Sequence, residues 1–324
     1  MNLIGLIDEW DSKVKFSEKA YYSYYEHAGK FRNIYERIKN LYDYKWSVDR
    51  HFSAGLIPTI ESWLNNFKTK RERRIAFELV SKILFYSRKE MESLCKTTCS
   101  NLLNLMTYNL GSRIDISFID TNAFLIPATD SGAEYCRILR HSYNLNTYTV
   151  KQSIQELKTH DYLQRKHIIF LEDFVGSGAT AINKCSEFKV TEKKIAFSDL
   201  HFYYCALIAT NWGLETIKRE TGFEVVAGEV LDSKYKCFSG DSVIYTEAQN
   251  RAEAEQVFNK YGEQICEDDP EIKGFPLGFN NDQLSVVLHD NTPDNTLPVI
   301  WSPEKNWFAL FERRRRYHGA SNSI

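Results

Sequence analysis

The sequence lacks the features that mark membrane proteins, disulfide-rich proteins and low-complexity proteins. No apolar run approaches the ~20 residues that a membrane-spanning helix needs. The seven cysteines are odd in number and irregularly spaced, and the N-terminus does not resemble a secretion signal. No internal repeat or low-complexity linker is present. Together these absences predict a soluble protein of the reducing cytoplasm.

The charge balance and the cysteine spacing exclude two further classes. With 41 basic and 43 acidic side chains, the formal net charge is −2. The protein as a whole therefore lacks the excess of positive charge that is typical of nucleic-acid-binding proteins. The basic run from Lys68 to Arg74 is typical of a solvated helix face. Cys95 and Cys99 have no second pair of Cys or His nearby, so they are interpreted as packing residues rather than as zinc ligands.

The chain changes character near residue 112. Up to Leu110 it predicts long helices, for example over Ser17–Leu41 and Lys70–Met106, with a helix boundary at Pro58. Beyond Gly111, short apolar strands alternate with amphipathic helices, which predicts a doubly wound parallel α/β sheet. We therefore expect a helical N-terminal region (1–112) and an α/β domain (113–324) with an irregular C-terminal cap from about 234. The expected strands are 123–128, 167–171, 202–210 and 223–230, and the expected helices are 133–142, 180–185 and 213–220.

The segment 167–181, HIIFLEDFVGSGATA, gives the clearest indication of a ligand-binding site. It predicts a buried strand that ends in Glu172 and Asp173, then a small glycine-containing turn that opens a helix at Thr180. Two carboxylates are acceptors for hydroxyl groups, and a helix N-terminus provides N–H groups for a phosphate. This combination suits a ribose 5-phosphate. A second polar turn, Thr129-Asp130-Ser131-Gly132-Ala133, follows the preceding strand, and parallel strands present such turns at one edge of the sheet.

In chain order, Thr129–Ala133 is the first turn and the turn after Glu172 and Asp173 is the second; the second, with its strand, resembles the phosphoribosyl-diphosphate motif of type I phosphoribosyltransferases. That resemblance implies that Glu172 and Asp173 bind the ribose 2- and 3-hydroxyls, directly or through Mg²⁺. It implies that the 5-phosphate is bound by Gly176, Ser177, Gly178, Ala179 and Thr180, with Gly176 standing where the family often has Thr or Ser. It also implies that the first turn is the pyrophosphate loop, in which Asp130, Ser131, Gly132 and Ala133 face the diphosphate, with Gly132 permitting close backbone approach.

The chemistry that the resemblance implies needs little from protein nucleophiles. Displacement of pyrophosphate from ribose C1 passes through an oxocarbenium-like state, so orientation, magnesium and stabilisation of the departing charge lower the barrier. Family members usually supply a Lys or Arg from a flexible loop between the two motifs. In this sequence the intervening cations are Arg137, Arg140, Lys151, Lys158, Arg165 and Lys166, and the sequence does not select among them.

Several segments together, IPATDSGAE, FLEDFVGSGAT and LGFNNDQLSVVLHDNTPDNTLPVIW, resemble the phosphoribosyltransferase-like effectors of bacterial conflict systems, such as those found beside retron reverse transcriptases. A closing pattern of Trp301, Trp307, Phe311 and Arg313 belongs to the same resemblance, which covers roughly residues 115–315. Two interpretations of the C-terminal block are open: a lid anchored by the two tryptophans, or an edge segment held by aromatic packing.

Three functions are compatible with the sequence. The first is an anti-phage effector that binds phosphoribosyl diphosphate or a nucleotide with Mg²⁺ and acts at the ribosyl C1 carbon. The second is a catalytically silent sensor of the same ligand that regulates a partner. The third is a nucleic-acid adaptor that uses Lys68–Arg74 and Arg313–Arg316. The expected partners are the nucleotide ligand, a defence-system protein such as a reverse transcriptase with its nucleic acid, and a second copy of the chain, with no membrane.

Overall fold

The structure is a computed structural model that describes residues 2–12, 30–43, 55–267 and 272–313. The first part of the helix expected over Ser17–Leu41 and the cations Arg314–Arg316 lie outside the described residues. Across the described ranges, no helix is both long enough and apolar enough to cross a membrane.

Thirteen α-helices and six β-strands are assigned in the described ranges. The helices are α1 (Leu3–Ser12), α2 (Lys30–Leu41), α3 (Leu56–Leu64), α4 (Lys70–Val80), α5 (Arg88–Leu110), α6 (Ile116–Asn122), α7 (Asp130–Tyr143), α8 (Thr159–Gln164), α9 (Ala179–Glu187), α10 (Val190–Ala196), α11 (Asn211–Thr221), α12 (Ala248–Cys266) and α13 (Pro298–Trp301). The strands are β1 (Leu84–Tyr86), β2 (Ala123–Pro127), β3 (His167–Val175), β4 (His201–Thr210), β5 (Glu224–Leu231) and β6 (Val286–Leu288).

The chain divides into two compact units. We call Arg88–Asp232 the sheet unit, and Met1–Ser87 together with Ser233–Ile324 the terminal unit. The units therefore divide the chain at residues 87/88 and 232/233, whereas the sequence led us to expect a division at 112/113 with the C-terminal residues in the same domain as the sheet. Helix α5 belongs to the sheet unit, and the C-terminal residues share a unit with the N-terminal helices.

The sheet unit contains a four-stranded parallel sheet in the order β2-β3-β4-β5. Its strands and crossover helices lie within a few residues of the expected positions, because apolar β-branched and aromatic runs alternate with amphipathic stretches there. Val150 adds a parallel bridge to Leu125 on the outer side of β2, where the Leu125 N–H donates to the Thr149 carbonyl at 2.9 Å and the Lys151 N–H donates to the Leu125 carbonyl at 3.0 Å.

Helices cover both faces of this sheet, as expected for a doubly wound fold. On one face, Leu139 of α7 and Leu102 of α5 share an apolar space with Leu125 and Ile169. On the other face, α8, α9 and α11 pack against alternate strand residues; this cluster includes Phe124, Ile168, Tyr162, Ala181 and Ile217. The chain thus leaves β2 over one face, reaches Val150 beyond β2, and returns over the other face to β3. If the bridge at Val150 is counted as a strand position outside β2, the direction in which the chain crosses the sheet reverses between β2 and β3.

One helical expectation was wrong. The stretch from Lys70 to Met106 is two helices, α4 and α5, separated by the short strand β1. The apolar run Ile83-Leu84-Phe85-Tyr86 fits the buried pattern of a strand as well as a helix, and β1 pairs in parallel with β6, with Leu84 opposite Val286. The partner strand is about 200 residues away in sequence, so local periodicity does not reveal it. Pro58 lies in the first turn of α3, where a proline is tolerated.

The terminal unit is built around buried tryptophans. Trp63 and Trp301 are fully buried, and the Nε1 atoms of Trp63 and Trp307 both donate to the Val299 carbonyl, at 2.7 and 2.8 Å. Phe67 packs edge-on against Trp63 and Trp307. Within this unit the C-terminal block is therefore held by aromatic packing against the N-terminal helices.

Glu72 joins helices α4 and α12 of the terminal unit. It lies in a capping box with Thr69, whose N–H donates to Glu72 Oε2 at 2.8 Å. Lys260 Nζ lies 2.6 Å from Oε1, and the Tyr261 hydroxyl donates to Oε2 at 3.0 Å. Burial alone would raise the pKa of Glu72, but these hydrogen bonds outweigh it and lower the pKa to about 2.

We expect the stability of the terminal unit to fall between about pH 4.5 and pH 2 because of Glu72. A carboxyl group with a lowered pKa in the folded state stabilises the fold above its unfolded pKa, and that contribution is lost as the pH falls towards the folded pKa. A shift of this size corresponds to at most about 3 kcal/mol. Urea unfolding followed by tryptophan fluorescence at pH 6 and pH 3 measures the loss. Glu72→Gln should flatten this dependence, whereas Glu192→Gln, at an exposed position, should leave it unchanged; equal dependence in wild type and Glu72→Gln would contradict the assignment.

Candidate functional site

The two polar turns singled out in the sequence lie side by side at the carboxyl edge of the sheet. They follow β2 and β3, which are neighbouring strands with Ala123 opposite His167 and Pro127 opposite Leu171. With the Val150 bridge counted outside β2, the chain changes direction across the sheet between these two strands, and in open α/β sheets ligands bind in the crevice at such a change. The fold therefore places both turns at the position where such sheets hold their ligands.

Hydrogen bonds tie the first turn directly to β3. Ser131 Oγ donates to Asp173 Oδ1 at 2.8 Å, and the hydroxyls of Thr129 and Ser131 are 2.8 Å apart. The Ala128 N–H donates to the Leu171 carbonyl at 2.9 Å. Thr129 is also the N-cap of α7, since its Oγ1 accepts from the N–H of Gly132. The first turn and Asp173 thus form one hydrogen-bonded cluster.

Gly132 allows α7 to approach β3 closely. A Cβ atom built on Gly132 would lie 2.1 Å from the Leu171 carbonyl oxygen and 3.4 Å from Pro127 Cα. Real Cβ atoms do not come that close to a carbonyl oxygen, so only glycine fits. The approach expected at Gly132 was to a diphosphate; the close neighbour of Gly132 in the structure is the backbone of β3.

The acidic pair lies inside β3 and not after it, because the strand continues to Val175. Neighbouring residues of a strand point to opposite faces, so Glu172 and Asp173 have different surroundings. Glu172 is 5% exposed and accepts a hydrogen bond of 2.5 Å from the Tyr204 hydroxyl. Asp173 is half-buried and faces Ser131. The expectation that β3 ends at Leu171 was wrong, since Phe174 and Val175 continue the ladder opposite Ile208 and Ala209 of β4.

Tyr204 keeps its proton beside Glu172. It is fully buried on β4, and burial together with the charge of the Glu172 carboxylate raises the pKa of Tyr204 well above its ordinary value. The hydroxyl therefore remains a donor at neutral pH and holds the Glu172 carboxylate in place.

The second turn leads into helix α9. Gly178 is the N-cap of α9 with φ of 82°, a left-handed conformation that favours glycine. Ser177 Oγ accepts from the Ala179 N–H at 3.3 Å, and Thr180 is exposed in the first turn of the helix. Backbone N–H groups and two hydroxyls thus surround the N-terminus of α9, an arrangement that suits an anion.

A third turn, after β4, holds the second turn in position. The Thr210 hydroxyl donates to the Gly176 carbonyl and accepts from the Gly213 N–H at 3.0 Å. A Cβ on Gly178 would lie 2.9 Å from the Gly213 carbonyl oxygen, so the two backbones are in close contact.

The sequence interpretation assigned no role to Thr210 or Tyr204, and it did not assign the hydroxyl of Thr129. Thr129 and Thr210 directly precede α7 and α11, and a Thr before a helix is a capping signal that would have identified both. Tyr204 carries a hydroxyl within the apolar run FYYCALIA, but its pairing with Glu172 depends on the strand register.

The structure separates the six candidate cations. Arg165 and Lys166 lie at the amino edge, away from the turns. Arg165 Nη1 donates to the carbonyl of Ala123, the first residue of β2, at 2.8 Å, and Lys166 pairs with Asp199, ahead of β4, at 2.9 Å. Lys158 is the N-cap of α8.

The other three cations line an open cleft at the carboxyl edge, beside β2. The cleft has a volume of about 560 Å³, and its walls are formed by Pro127, by α7 and by the segment 147–152, with Arg137, Arg140 and Lys151 among the lining residues. Ala133, from the first turn, also lines it. The intervening segment therefore brings three of its six cations to the edge of the sheet that holds the turns.

The donor set at the two turns is compatible with a magnesium ion. Mg²⁺ prefers oxygen ligands and is usually held by one or two carboxylates together with substrate phosphates and water. Asp173 provides a half-buried carboxylate beside the hydroxyl of Ser131. Glu172 lies deeper and is engaged by Tyr204, so the more accessible carboxylate is that of Asp173.

A parallel sheet with helices on both faces and polar turns at its carboxyl edge defines a doubly wound α/β protein. The profile of the PRTase-CE family matches residues 60–313, most of the chain. The chain therefore belongs to the PRTase-CE family and is phosphoribosyltransferase-like. The match begins at α3, so the family sequence includes N-terminal helices that the resemblance at 115–315 did not cover.

Comparison of the fold with solved structures finds phosphoribosyltransferases. Xanthine-guanine-hypoxanthine phosphoribosyltransferase from Helicobacter pylori is 15% identical, covers 46% of this chain and 84% of its own, and has a TM-score of 0.29. Orotate phosphoribosyltransferase from Aeropyrum pernix is 10% identical, with 36% and 62% covered and a TM-score of 0.26. No curated protein matches the sequence.

Proposed function

We propose that the chain is an effector of a bacterial anti-phage system that binds phosphoribosyl diphosphate, or a nucleotide with the same ribose phosphate, and acts at the ribosyl C1 carbon. The observation that carries the proposal is the hydrogen bond from Ser131 to Asp173, which joins the first turn to the acidic residue of β3 that precedes the second turn. The defence context rests on the resemblance of the motif set to effectors of conflict systems.

Each group of the ligand has a counterpart in the site. The 5-phosphate would bind the N–H groups at the start of α9 and the hydroxyls of Ser177 and Thr180. The ribose hydroxyls would contact Asp173, with Glu172 held behind it by Tyr204. The diphosphate would lie at the N-terminus of α7, where Asp130, Ser131, Gly132 and Ala133 form the first turn. Mg²⁺, bound by the carboxylates directly or through water, would neutralise part of the phosphate charge.

The chemistry follows from this placement. The bond between C1 and the diphosphate oxygen breaks, its electron pair leaves with the diphosphate, and the acceptor forms the new bond to C1. The N-terminal N–H groups of α7 stabilise the departing anion, and a carboxylate near the ribose stabilises the cationic C1 region. The protein supplies orientation and electrostatic stabilisation, and no protein nucleophile is needed.

Substitution of the two hydroxyl residues of the second turn tests the phosphate assignment. We expect Ser177→Ala/Thr180→Val to weaken phosphoribosyl diphosphate binding about 10- to 100-fold, because two hydrogen bonds to a charged group are lost while the N–H groups remain. Titration calorimetry in the presence of Mg²⁺ measures the change. Ser186→Ala/Thr191→Val, the same substitutions at exposed positions beyond the start of α9, is the matched control.

Metabolite profiles separate the effector from the sensor. Cells that express the wild type should lose phosphoribosyl diphosphate or a nucleotide, whereas cells that express Ser177→Ala/Thr180→Val should keep their pool. Ligand binding in the calorimeter without consumption in cells or product by mass spectrometry would replace the transferase with a silent sensor. If neither the wild type nor the control variant bound the ligand, the proposal would fail.

A further inference from the structure

The cleft lined by Arg137, Arg140 and Lys151 is distinct from the turn at α9. Its lining includes Pro127 and Ala133, so it opens beside the first turn, but it includes no residue of the second turn, Gly176–Thr180. Its volume of about 560 Å³ lies within the range of pockets that hold whole small molecules, about 300–1,000 Å³. The cleft therefore has room for more than a single phosphate group.

The charge of the cleft is positive. Its lining includes three cations and one carboxylate, Glu134, whose Oε1 lies 3.0 Å from Arg88 Nη2, a guanidinium that also pairs with Glu92. In the part of the chain that the structure describes, none of the three lining cations forms an ion pair with a carboxylate. Arg140 Nη2 is 3.2 Å from His141 Nε2, and Lys151 Nζ lies 3.9 Å above the ring of Tyr148. Three cations against one carboxylate thus leave the lining of the cleft with a net positive charge.

These cations are carried by two ordered walls. Arg137 and Arg140 are three residues apart on α7 and share one side of that helix. Lys151 lies on the opposite wall, and its N–H is fixed to the Leu125 carbonyl at 3.0 Å. Two guanidinium groups and an ammonium group that are held on rigid elements can donate hydrogen bonds to the oxygens of a phosphate group.

We propose that this cleft is a second anion site, which binds the phosphate group of a nucleotide-like acceptor next to the ribose-phosphate site. That the bound molecule is the acceptor rests on the proposed function, whereas the anion site stands on the cleft itself. The diphosphate has its own counterpart at the N-terminus of α7, so the cleft is free for a second phosphorylated molecule. The acceptor would then be a phosphate ester rather than a free base.

Binding of the four 5′-ribonucleoside monophosphates, compared with the corresponding nucleosides and with inorganic phosphate, tests the site. We expect at least one monophosphate to bind the wild type about tenfold or more tightly than its nucleoside. Arg137→Ala/Arg140→Ala should weaken that binding about 10- to 100-fold, since two charge-assisted hydrogen bonds are lost. The same variant should bind phosphoribosyl diphosphate within threefold of wild type. Lys96→Ala/Lys218→Ala, which removes two exposed helical cations elsewhere in the sheet unit, should change neither.

A variant of the second turn should have the opposite effect on the two ligands. Ser177→Ala/Thr180→Val should keep monophosphate binding within threefold while phosphoribosyl diphosphate binding falls. If monophosphate binding is lost in this variant and kept in Arg137→Ala/Arg140→Ala, the monophosphate occupies the turn and the inference is overturned. If Arg137→Ala/Arg140→Ala loses phosphoribosyl diphosphate binding but keeps monophosphate binding, the cleft binds the diphosphate leaving group. That result would also overturn the inference.

Two further outcomes separate the cleft from the proposed function. If the wild type binds monophosphates through Arg137 and Arg140 but does not bind phosphoribosyl diphosphate, the anion site is supported and the proposed function fails. If inorganic phosphate binds as tightly as every monophosphate, the cleft recognises a free anion, and the inference of a nucleotide-like acceptor is overturned.

Discussion

Asp173→Asn should reduce binding of phosphoribosyl diphosphate about 100-fold and remove the consumption of ligand in cells. The substitution keeps the shape of the side chain and an acceptor for Ser131, which donates to Asp173 at 2.8 Å. It removes the negative charge, and a hydrogen bond to a charged group contributes about 1.5–3 kcal/mol. Titration calorimetry with Mg²⁺ and with Ca²⁺ would show whether the loss depends on the cation, as expected for a carboxylate that holds Mg²⁺.

Asp199→Asn is the matched control for this experiment. Asp199 precedes β4 at the amino edge of the same sheet and pairs with Lys166 at 2.9 Å. Its side chain is well exposed, so its loss should change stability little and ligand binding not at all. Equal effects of the two substitutions would show that a general change in charge, and not the site, had been measured. Wild-type affinity and ligand consumption in a folded Asp173→Asn protein would refute the catalytic assignment.

The two carboxylates should respond differently to substitution, since the structure gives them different surroundings. Glu172 is buried against Tyr204, whereas Asp173 is half-buried at the junction of the two turns. The sequence treated them as an equivalent pair after the strand, because an acidic residue in an apolar run normally marks the end of a buried strand. The ladder continues beyond them because Tyr204, on the neighbouring strand, satisfies Glu172 inside the sheet.

The four strands of the sheet unit and its helices α7, α9 and α11 could be predicted from local pattern, whereas α6, α8 and α10 were not expected and α5 was assigned to the N-terminal region. Each of its strands is an apolar run bounded by polar turns, and each crossover helix has an amphipathic repeat. The location of the candidate site follows from the same pattern, since turns after parallel strands share one edge of a sheet. What local pattern did not reveal is the hydrogen bond between Ser131 and Asp173, which depends on which strands are neighbours.

The terminal unit could not be predicted because its contacts join the two ends of the chain. Strands β1 and β6 have three residues each and pair across a separation of about 200 residues. Such short apolar runs are equally compatible with a helix, so β1 was interpreted as part of a long helix. The tryptophans of the C-terminal block were recognised as anchors, but their partners, including Trp63 and Phe67, lie in the N-terminal helices.

Gly132→Ala should destabilise the sheet unit by about 1–3 kcal/mol or more. The added methyl group would lie 2.1 Å from the Leu171 carbonyl oxygen, and neither the strand backbone nor the start of α7 has a flexible side chain there that can move aside. To relieve the clash, α7 must shift away from β3. That shift would lengthen the hydrogen bond from Ser131 to Asp173 and separate the two turns, so ligand binding should fall together with stability.

Hydrogen exchange measured by mass spectrometry locates this effect. In Gly132→Ala, the amides of α7 and β3 should exchange faster, while those of the terminal unit keep their wild-type rates. Gly240→Ala is the control, because a Cβ on Gly240 meets nothing within 4 Å and should change stability by no more than about 0.5 kcal/mol. Because the chain has two units, a local measurement is more informative than a single unfolding midpoint. Unchanged exchange in α7, with wild-type affinity for phosphoribosyl diphosphate, would show that the contact between α7 and β3 does not hold the two turns together.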